Sequence, residues 1–511
     1  IYSMEIEEDS IPKHSTKKRV AVAFFVCLAL ICVFAAFLAL FSVYRSNHET
    51  NNDNGDQKNT RPNVIFMISD GFSPSSETFA RTMSTAGGHF TNQTLLPLDT
   101  MLVGLVRTYS SMSLITDSAA GATAYSCGLK TYNNAIAVDD NIKAQGTAME
   151  AAKELGMTTA IVTTSRITHA TPACFSSHMS DREYEEEIAD QQAKLQSVDI
   201  LFGGGLQKYT NREDGQNLFT TMQDRGYQTI STYEEFDTKL TMPVIGLFAE
   251  QHMAYEIDRI HQDPIEQPSL SEMTIKALDL LKENDNPFFL LVEGARIDMA
   301  AHAHDAYTHY LEIMQYQDTV SIVKQFVHEN PNTYVVSVAD HATGGISLGL
   351  SFFNGTYPDP YMWYPANLLD QIKSTELMSE MIFANGLDTL NQTVLEYAGI
   401  TLTDDEFELI MYALSITENE DRSLRTILGS IISARAEIGW TTPGHTGVDV
   451  NLYSYGLTPS TLRGVKENIN VGNELWEELG FLDTMAQITE SLSNMTFPPI
   501  LPPETQPNKK Y

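Results

Sequence analysis

Four short apolar runs constrain the fold of this chain more than any other feature of its sequence. They are continuous rather than alternating, they are rich in β-branched residues, and each has the length of a strand: residues 64–69 (VIFMIS), 158–163 (TTAIVT), 288–292 (FFLLV) and 333–339 (TYVVSVA). Such runs are typical of strands buried on both faces of a largely parallel sheet. Helical segments lie between them, so the pattern predicts an α/β fold with a central, largely parallel sheet flanked by helices.

Polar side chains follow each of the four runs. Asp70 follows the first run, His169 lies in the turn after the second, Glu293 follows the third, and Asp340 and His341 follow the fourth. Ligands of open α/β sheets bind at the carboxyl ends of the strands, so we expect these four turns to converge on one crevice. A single Asp after a strand is usually a helix cap, but four such ends together favour a functional site.

A further pair of polar residues follows the third run. Asp298 and His302 are four residues apart, so on a helix their side chains face the same way. A carboxylate and an imidazole at that spacing suit a divalent metal such as zinc, and a polar pair on a solvated helix face is the alternative. His304, two residues further on, should point elsewhere.

The segment 116–128 (TDSAAGATAYSCG) is rich in small residues, which allow close helix packing. Ser118 would lie at the N-terminus of such a helix, where backbone N–H groups and the helix dipole stabilise an ionised hydroxyl or a phosphoryl oxygen. No Ser-His-Asp signature accompanies this serine, so a metal would have to activate it.

The charge distribution limits the class of protein further. The 511 residues carry 32 Lys+Arg against 66 Asp+Glu, a formal net charge of −34, which argues against a nucleic-acid binder. Residues 20–44 contain no charged side chain and are long enough to span a bilayer, and a basic cluster precedes them. The positive-inside rule predicts a single-pass type II membrane protein, with residues 1–19 as a cytoplasmic tail and 20–44 as a transmembrane signal-anchor helix. A buried core helix is the alternative.

The rest of the chain should then lie outside the cell or in a lumen such as that of a vacuole or lysosome. Residues 46–60, rich in Asn and Asp, are expected to form a flexible stalk. The folded domain is expected over residues 61–495, followed by a Pro-rich polar tail, 497–511. Four Asn-x-Ser/Thr triplets suit glycosylation in such a compartment, at Asn92, Asn354, Asn391 and Asn494. Cys127 and Cys174 are expected to be buried thiols rather than a disulfide.

Taken together, the motifs of this chain resemble those of the alkaline phosphatase family. They follow in family order over most of the chain after residue 61: 63–71 (NVIFMISDG), 116–124 (TDSAAGATA), 168–173 (THATPA), 292–298 (VEGARID), 339–341 (ADH) and 445–447 (HTG). The N-terminal anchor is similar in layout to that of the fungal vacuolar members. The resemblance implies hydrolysis of phosphate monoesters with broad specificity through a phosphoserine intermediate, and a homodimer.

The resemblance also implies three bound metal ions, two zinc and one magnesium. The first zinc site is matched by Asp298, His302 and His445; the second by Asp70, Asp340, His341 and the Ser118 hydroxyl; the magnesium site by Asp70, Thr171 and Glu293. Ser118 matches the nucleophile, and Arg182 matches the arginine that holds the phosphate. His169 and Met299 lie beside these ligands: His169 stands where bacterial members often carry Asp, and Met299 where many members carry His or Lys.

The resemblance places a crown-like inserted subdomain at about residues 350–440, near the dimer interface and the rim of the active site. Helices are predicted there at residues 368–384, 403–414 and 423–434, the second with a capping box of Thr403 and Glu406. Three other functions remain open. The chain could be a phosphodiesterase of the same superfamily, a sulfatase, although Ser118 lacks the C/S-x-P-x-R setting, or a catalytically inactive membrane-tethered binding protein that retains the fold.

Overall fold

The computed structural model describes residues 61–85, 95–350 and 362–500. The predicted cytoplasmic tail, membrane anchor and stalk lie outside these residues, as do Asn92, Asn354 and most of the Pro-rich tail. Within the described ranges, no helix combines the length and apolarity that crossing a bilayer requires.

The strands of the described chain form one large sheet and two short pairs. In chain order they are β1 (Asn63–Ser69), β2 (Leu102–Arg107), β3 (Thr158–Arg166), β4 (Ile200–Gly204), β5 (Gln228–Ile230), β6 (Val244–Leu247), β7 (Phe288–Gly294), β8 (Thr333–Val338), β9 (Ala342–Thr343), β10 (Ser347–Leu348), β11 (Ile438–Gly439), β12 (His445–Thr446), β13 (Val450–Gly456) and β14 (Gly464–Glu467). The large sheet has the order β14-β2-β13-β8-β1-β7-β3-β4-β6-β5. From β8 to β5 every pairing is parallel, and β13 runs antiparallel to both its neighbours.

The four predicted runs are β1, β3, β7 and β8, and they are neighbours at the centre of this sheet. Strand β1 pairs with β7 and β8, and β7 also pairs with β3. Every residue of β3, β7 and β8 is buried, because both faces of the central sheet are covered and neither needs polar side chains. The prediction of an α/β fold with a largely parallel sheet is confirmed.

Helices pack against the sheet and against one another. In chain order they are α1 (Pro74–Met83), α2 (Ser118–Cys127), α3 (Ala148–Glu154), α4 (Ala170–Ser176), α5 (Glu185–Leu195), α6 (Leu206–Thr210), α7 (Leu218–Asp224), α8 (Tyr233–Phe236), α9 (Glu256–Arg259), α10 (Leu270–Lys282), α11 (Arg296–His302), α12 (Ala306–Glu329), α13 (Thr375–Asn385), α14 (Leu390–Ala398), α15 (Asp404–Ile416), α16 (Glu420–Ala434), α17 (Asn468–Glu478) and α18 (Leu482–Ser491). Short 3-10 turns occur at Leu98–Met101, Pro365–Leu368 and Leu387–Thr389.

The inserted region leaves the main fold after β10 and returns at β11. These two strands pair antiparallel, so the insertion begins and ends side by side. It contains helices α13 to α16, which pack around an apolar cluster that includes Met378, Ile382, Leu424 and Leu428. The capping box of Thr403 and Glu406 at the start of α15 is confirmed.

The predicted helix over residues 368–384 is wrong in its first half. Helix α13 begins only at Thr375, with Ser374 as its N-cap. The backbone N–H of Ser374 donates to Asp258 Oδ1 at 2.9 Å, and that of Thr375 donates to Asp305 Oδ2 at 2.7 Å. Two buried carboxylates therefore accept hydrogen bonds from the N–H groups at the start of this helix. Because both carboxylates lie far away in the chain, no sequence pattern within the segment predicts them.

Glu312 of α12 is a buried carboxyl whose ionisation should make stability depend on pH. Burial raises its pKa to about 8, and Arg296, Glu256 and Asp258 are the charged groups that face it. Because this acid stays protonated in the fold but ionises above about pH 4.5 in the unfolded chain, its contribution to the free energy of unfolding falls as pH rises between those two values.

We expect Glu312→Gln to flatten this pH dependence by up to about 1.4 kcal/mol per pH unit. The amide keeps an oxygen that can accept the hydrogen bond from the Glu256 backbone N–H, which is 2.6 Å long. Urea unfolding at several pH values between about 5 and 8 measures the slope of the free energy of unfolding against pH. Glu329→Gln, at the exposed end of the same helix, is the control. If Glu312→Gln left the slope of unfolding free energy against pH unchanged, the raised pKa of Glu312 in the folded protein would be contradicted.

Candidate active site

Asp298, His302 and His445 form a cluster at the end of β7 and the start of β12. His302 Nε2 lies 3.1 Å from Asp298 Oδ2 and 3.2 Å from His445 Nε2. The other ring nitrogens face backbone carbonyls: His302 Nδ1 donates to Pro443 O at 2.6 Å, and His445 Nδ1 donates to Thr116 O at 2.8 Å. Because each Nδ1 donates its hydrogen to a carbonyl, the neutral form of each ring presents a lone pair at Nε2. Two facing lone pairs beside a carboxylate suit a cation.

Asp70, Asp340 and His341 meet where β1 and β8 end. His341 Nε2 lies 3.5 Å from Asp70 Oδ1, 3.3 Å from Asp340 Oδ2 and 3.2 Å from Ser118 Oγ. All three residues are fully buried, and neither oxygen of Asp70 accepts a hydrogen bond from a described N–H or O–H group. Burial, with repulsion from neighbouring carboxylates, raises the pKa of Asp70 and raises the pKa of Asp340 to about 8. Such a cluster needs protons or a cation to be stable.

Glu293 lies beside these carboxylates, and its immediate neighbours are hydroxyl groups. Burial raises its pKa to about 7, and hydrogen bonds from the Thr163 and Ser165 hydroxyls to Oε2 partly offset that effect. Ligand atoms of Asp70, Glu293 and His169 lie within 4.8 Å of one another. The structure therefore brings His169 into a group of potential metal ligands, whereas the sequence placed it only beside them.

Ser118 is the first residue of α2, as predicted, and Asp117 is its N-cap. Asp117 Oδ1 accepts from the Ala120 backbone N–H at 3.0 Å. The other carboxylate oxygen, Oδ2, lies 3.1 Å from Arg182 Nη1. Arg182 Nη2 in turn lies 2.8 Å from His169 Nε2. One aspartate thus caps the serine helix and holds the arginine beside it. Sequence reasoning did not select Asp117, although an Asp directly before a helix is a recognisable cap signal.

Arg166 and His252 were also not selected from the sequence. Arg166 Nε pairs with Glu185 Oε2 at 2.7 Å, and its Nη1 lies 2.6 Å from His252 Nε2. The His252 ring meets the His169 ring edge to face, with centroids 5.2 Å apart. His252 comes from the loop between β6 and α9, and no local motif marks it, so only the folded chain reveals its place.

Two other predicted residues, Met299 and His304, lie outside the clusters of candidate metal ligands. Met299 is buried in a cluster with Tyr255 and Ile257, and Arg296 Nη1 lies 3.2 Å from its Sδ. His304 points elsewhere, as predicted: its ring nitrogens contact Ser430 Oγ at 2.8 Å and Thr442 O at 2.9 Å.

The two cysteines of the described chain, Cys127 and Cys174, are both free thiols, as predicted. Burial raises the pKa of both, that of Cys174 to about 12, so neither is a reactive thiolate near neutral pH.

The fold and this pocket together define a metal-binding α/β enzyme. The carboxyl ends of parallel strands and the N-terminus of α2 converge on a buried set of carboxylates and imidazoles, with one serine and one arginine among them. Groups that could hold metal ions are Asp298/His341/His445, Asp70/Asp340/His341 and Asp70/His169/Glu293.

Comparison with known proteins identifies the family. The sequence model described as "Alkaline phosphatase" matches residues 61–480. The alkaline phosphatase of Schizosaccharomyces pombe is 39% identical over 458 residues, which cover 84% of this chain and 83% of that protein. The repressible alkaline phosphatase of Saccharomyces cerevisiae is 34% identical over 523 residues, which cover 93% of this chain and 88% of that protein.

Solved structures agree with this match. The crystal structure of Thermus thermophilus alkaline phosphatase superposes with a TM-score of 0.75 at 28% identity, covering 89% of this chain and 98% of that one. The cold-active alkaline phosphatase of the psychrophile Shewanella sp. gives a TM-score of 0.71 at 32% identity, and the match covers 82% of this chain and 99% of that one. The chain belongs to the alkaline phosphatase family, which is metal-dependent, and it is a phosphatase.

Proposed function

We propose that this phosphatase hydrolyses phosphate monoesters with broad specificity through a phosphoserine intermediate on Ser118. The observation that carries the proposal is the position of the Ser118 hydroxyl, 3.2 Å from His341 Nε2 at the N-terminus of α2. The side chain is almost fully buried, so bulk water is kept from it. The N–H groups of the first turn favour the alkoxide form of the serine.

We propose two zinc ions and one magnesium ion as cofactors. Asp298, His302 and His445 would hold the first zinc; Asp70, Asp340, His341 and Ser118 would hold the second; Asp70, Thr171 and Glu293, with His169 adjacent, would hold the magnesium. Nitrogen donors in the first two sets suit zinc, and the oxygen donors of the third suit magnesium. Bound zinc would supply a lowered pKa for the serine hydroxyl and a positive charge for the leaving oxygen.

The protein's own groups position the reactants. Ser118 Oγ attacks phosphorus in line with the ester oxygen that leaves. Arg182 offers a planar fork to two phosphoryl oxygens. Its orientation is fixed by Asp117 Oδ2 on one side and His169 Nε2 on the other. Asp117 also caps the serine helix, so nucleophile and phosphate-binding group are held by the same carboxylate.

A panel of three substrates tests the reaction class. We expect an aryl phosphate monoester to be hydrolysed at alkaline pH at least roughly 100-fold faster, in kcat/KM, than the matched aryl diester or aryl sulfate. The reason is that the clustered cations and Arg182 match the charge of a phosphoryl dianion, which a diester or a sulfate monoester lacks. A larger kcat/KM for the diester would favour the phosphodiesterase alternative. No turnover of any of the three by zinc-loaded protein would favour a binding protein.

We also propose that the chain is a type II membrane protein that acts in a lumen or outside the cell as a homodimer. The uncharged segment 20–44 behind a basic cluster supports the anchor. Asn391 and Asn494 are exposed, as glycan acceptors must be. Leu409, Tyr412 and Ile416 form an exposed apolar stripe on α15 that supports pairing with a second copy. Sedimentation velocity would contradict the dimer if it returned a monomer mass.

A further inference from the structure

Helix α11, which carries two candidate ligands of the first zinc site, begins at Arg296. The Arg296 side chain is buried, and its guanidinium carbon lies 3.5 Å from the centre of the Tyr255 ring. Its charge partner is Glu376, with Nη2 and Oε1 2.7 Å apart. A buried guanidinium depends on such a carboxylate, and a close charged pair restricts the geometry of both residues. The start of α11 is therefore tied to Glu376.

Glu376 belongs to the inserted region, in the first turn of α13. Its other carboxylate oxygen pairs with Arg425 of α16. The start of α13 is itself fixed to the main fold, because Asp258 and Asp305 accept hydrogen bonds from two successive backbone N–H groups there. Helix α13, which carries Glu376, is thus held by Arg425 of the inserted region and by Asp258 and Asp305 of the main fold.

The inserted region also contacts the other end of α11. A Cβ atom at Gly429 of α16 would lie 2.1 Å from Ala303 O, so the two backbones approach more closely than any other residue allows. Ser430 Oγ contacts His304 Nδ1 at 2.8 Å, and Ser433 Oγ donates to His304 O at 2.7 Å. The insertion therefore holds the ligand-bearing helix at both ends.

We propose that Glu376 is a positioning residue for the first zinc site and that it acts through Arg296. The ion pair fixes the start of α11, and with it the direction of the Asp298 and His302 side chains. This inference rests on the proposed function in one respect, since it takes these two residues as zinc ligands. It gives the insertion a part in retaining metal, in addition to its expected place near the dimer interface and the rim of the active site.

Release of zinc from the loaded full-length chain tests the proposal. With a colorimetric chelator in excess, we expect Glu376→Gln to release one of the two zinc ions about 10- to 100-fold faster than the parent, as changes behind a ligand do. The second zinc should leave at the parental rate. Glu380→Gln is the matched control, because Glu380 lies one turn further along α13 and contacts Arg425 at 3.5 Å but is exposed. This control should release zinc as the parent does.

Two outcomes would overturn the proposal: zinc release from Glu376→Gln within about twofold of the parent, or loss of both zinc ions at one common faster rate, which indicates general destabilisation. Should Glu376→Gln not fold, Glu376→Asp keeps the charge and shortens its reach, and it should give an intermediate release rate. The measurement is independent of turnover. A chain that retains zinc but hydrolyses no monoester would contradict the proposed function, and its release rates would still decide the role of Glu376.

Discussion

Replacing Ser118 with alanine is expected to lower kcat for an aryl phosphate by at least about 1,000-fold. The hydroxyl is the group that would carry the phosphoryl group between two displacements, and it lies 3.2 Å from His341 Nε2 at the N-terminus of α2. Without it, water would have to attack directly, with only the pocket charge to help. The substitution should leave the fold intact, because alanine is well tolerated at the first position of a helix capped by Asp117.

Ser126→Ala is the matched control for this experiment. Ser126 lies on the same helix and is also buried, but its hydroxyl contacts Cys127 Sγ at 3.4 Å rather than the pocket. This variant should keep the parental kcat. Ser118→Ala protein that binds its metals and turns over at the parental rate would contradict the assignment of the nucleophile.

Removal of the metal ions is expected to abolish both turnover and phosphate binding, again by at least about 1,000-fold in kcat/KM. Without cations, the buried carboxyl groups of Asp70, Glu293, Asp298 and Asp340 leave Arg182 to hold a phosphate dianion, so we expect the metal-free protein to bind phosphate weakly. The overall charge of −34 does not decide whether the site binds phosphate, because salt screens charges beyond about 8 Å. Bound divalent ions would make the local charge positive.

The measurement is turnover by protein that has been dialysed against a chelator and whose metal content has been determined by elemental analysis. Addition of zinc and magnesium should restore activity, and the same chelator already saturated with zinc should have no effect. In the metal-free protein, the raised pKa values of Asp340 and Glu293, about 8 and about 7, mean that these groups hold protons near neutral pH. Reloading should therefore release protons. Full activity in protein that elemental analysis finds free of metal would contradict the mechanism.

The centre of the fold and part of the candidate site were predictable from the sequence on physical grounds, whereas Thr171, Arg182 and His445 were given only by the family resemblance. Parallel strands buried on both faces need continuous apolar runs, and their carboxyl ends meet at one edge of the sheet. Asp70, Glu293 and Asp340 therefore follow from local patterns alone. The position of Ser118 follows from the run of small residues that forms α2, and the shared face of Asp298 and His302 follows from helix geometry.

The rest depends on contacts between distant segments. His252 reaches His169 from a loop with no motif, and Glu376 reaches Arg296 from the inserted region. The late start of α13 is set by Asp258 and Asp305, which lie far away in the chain. Such pairings depend on the packing of whole elements, which neither hydrophobic periodicity nor capping rules describe.

Trapping of the phosphoenzyme tests the central claim most directly. The metal-loaded chain would be quenched in acid during turnover of an aryl phosphate, and the peptide that contains residues 116–128 would be analysed by mass spectrometry. We predict a phosphoryl group on Ser118 in the parent protein and none in Ser118→Ala. Demonstrated turnover of the monoester with Ser118 unmodified, or with the phosphoryl group on another residue, would contradict the proposed mechanism.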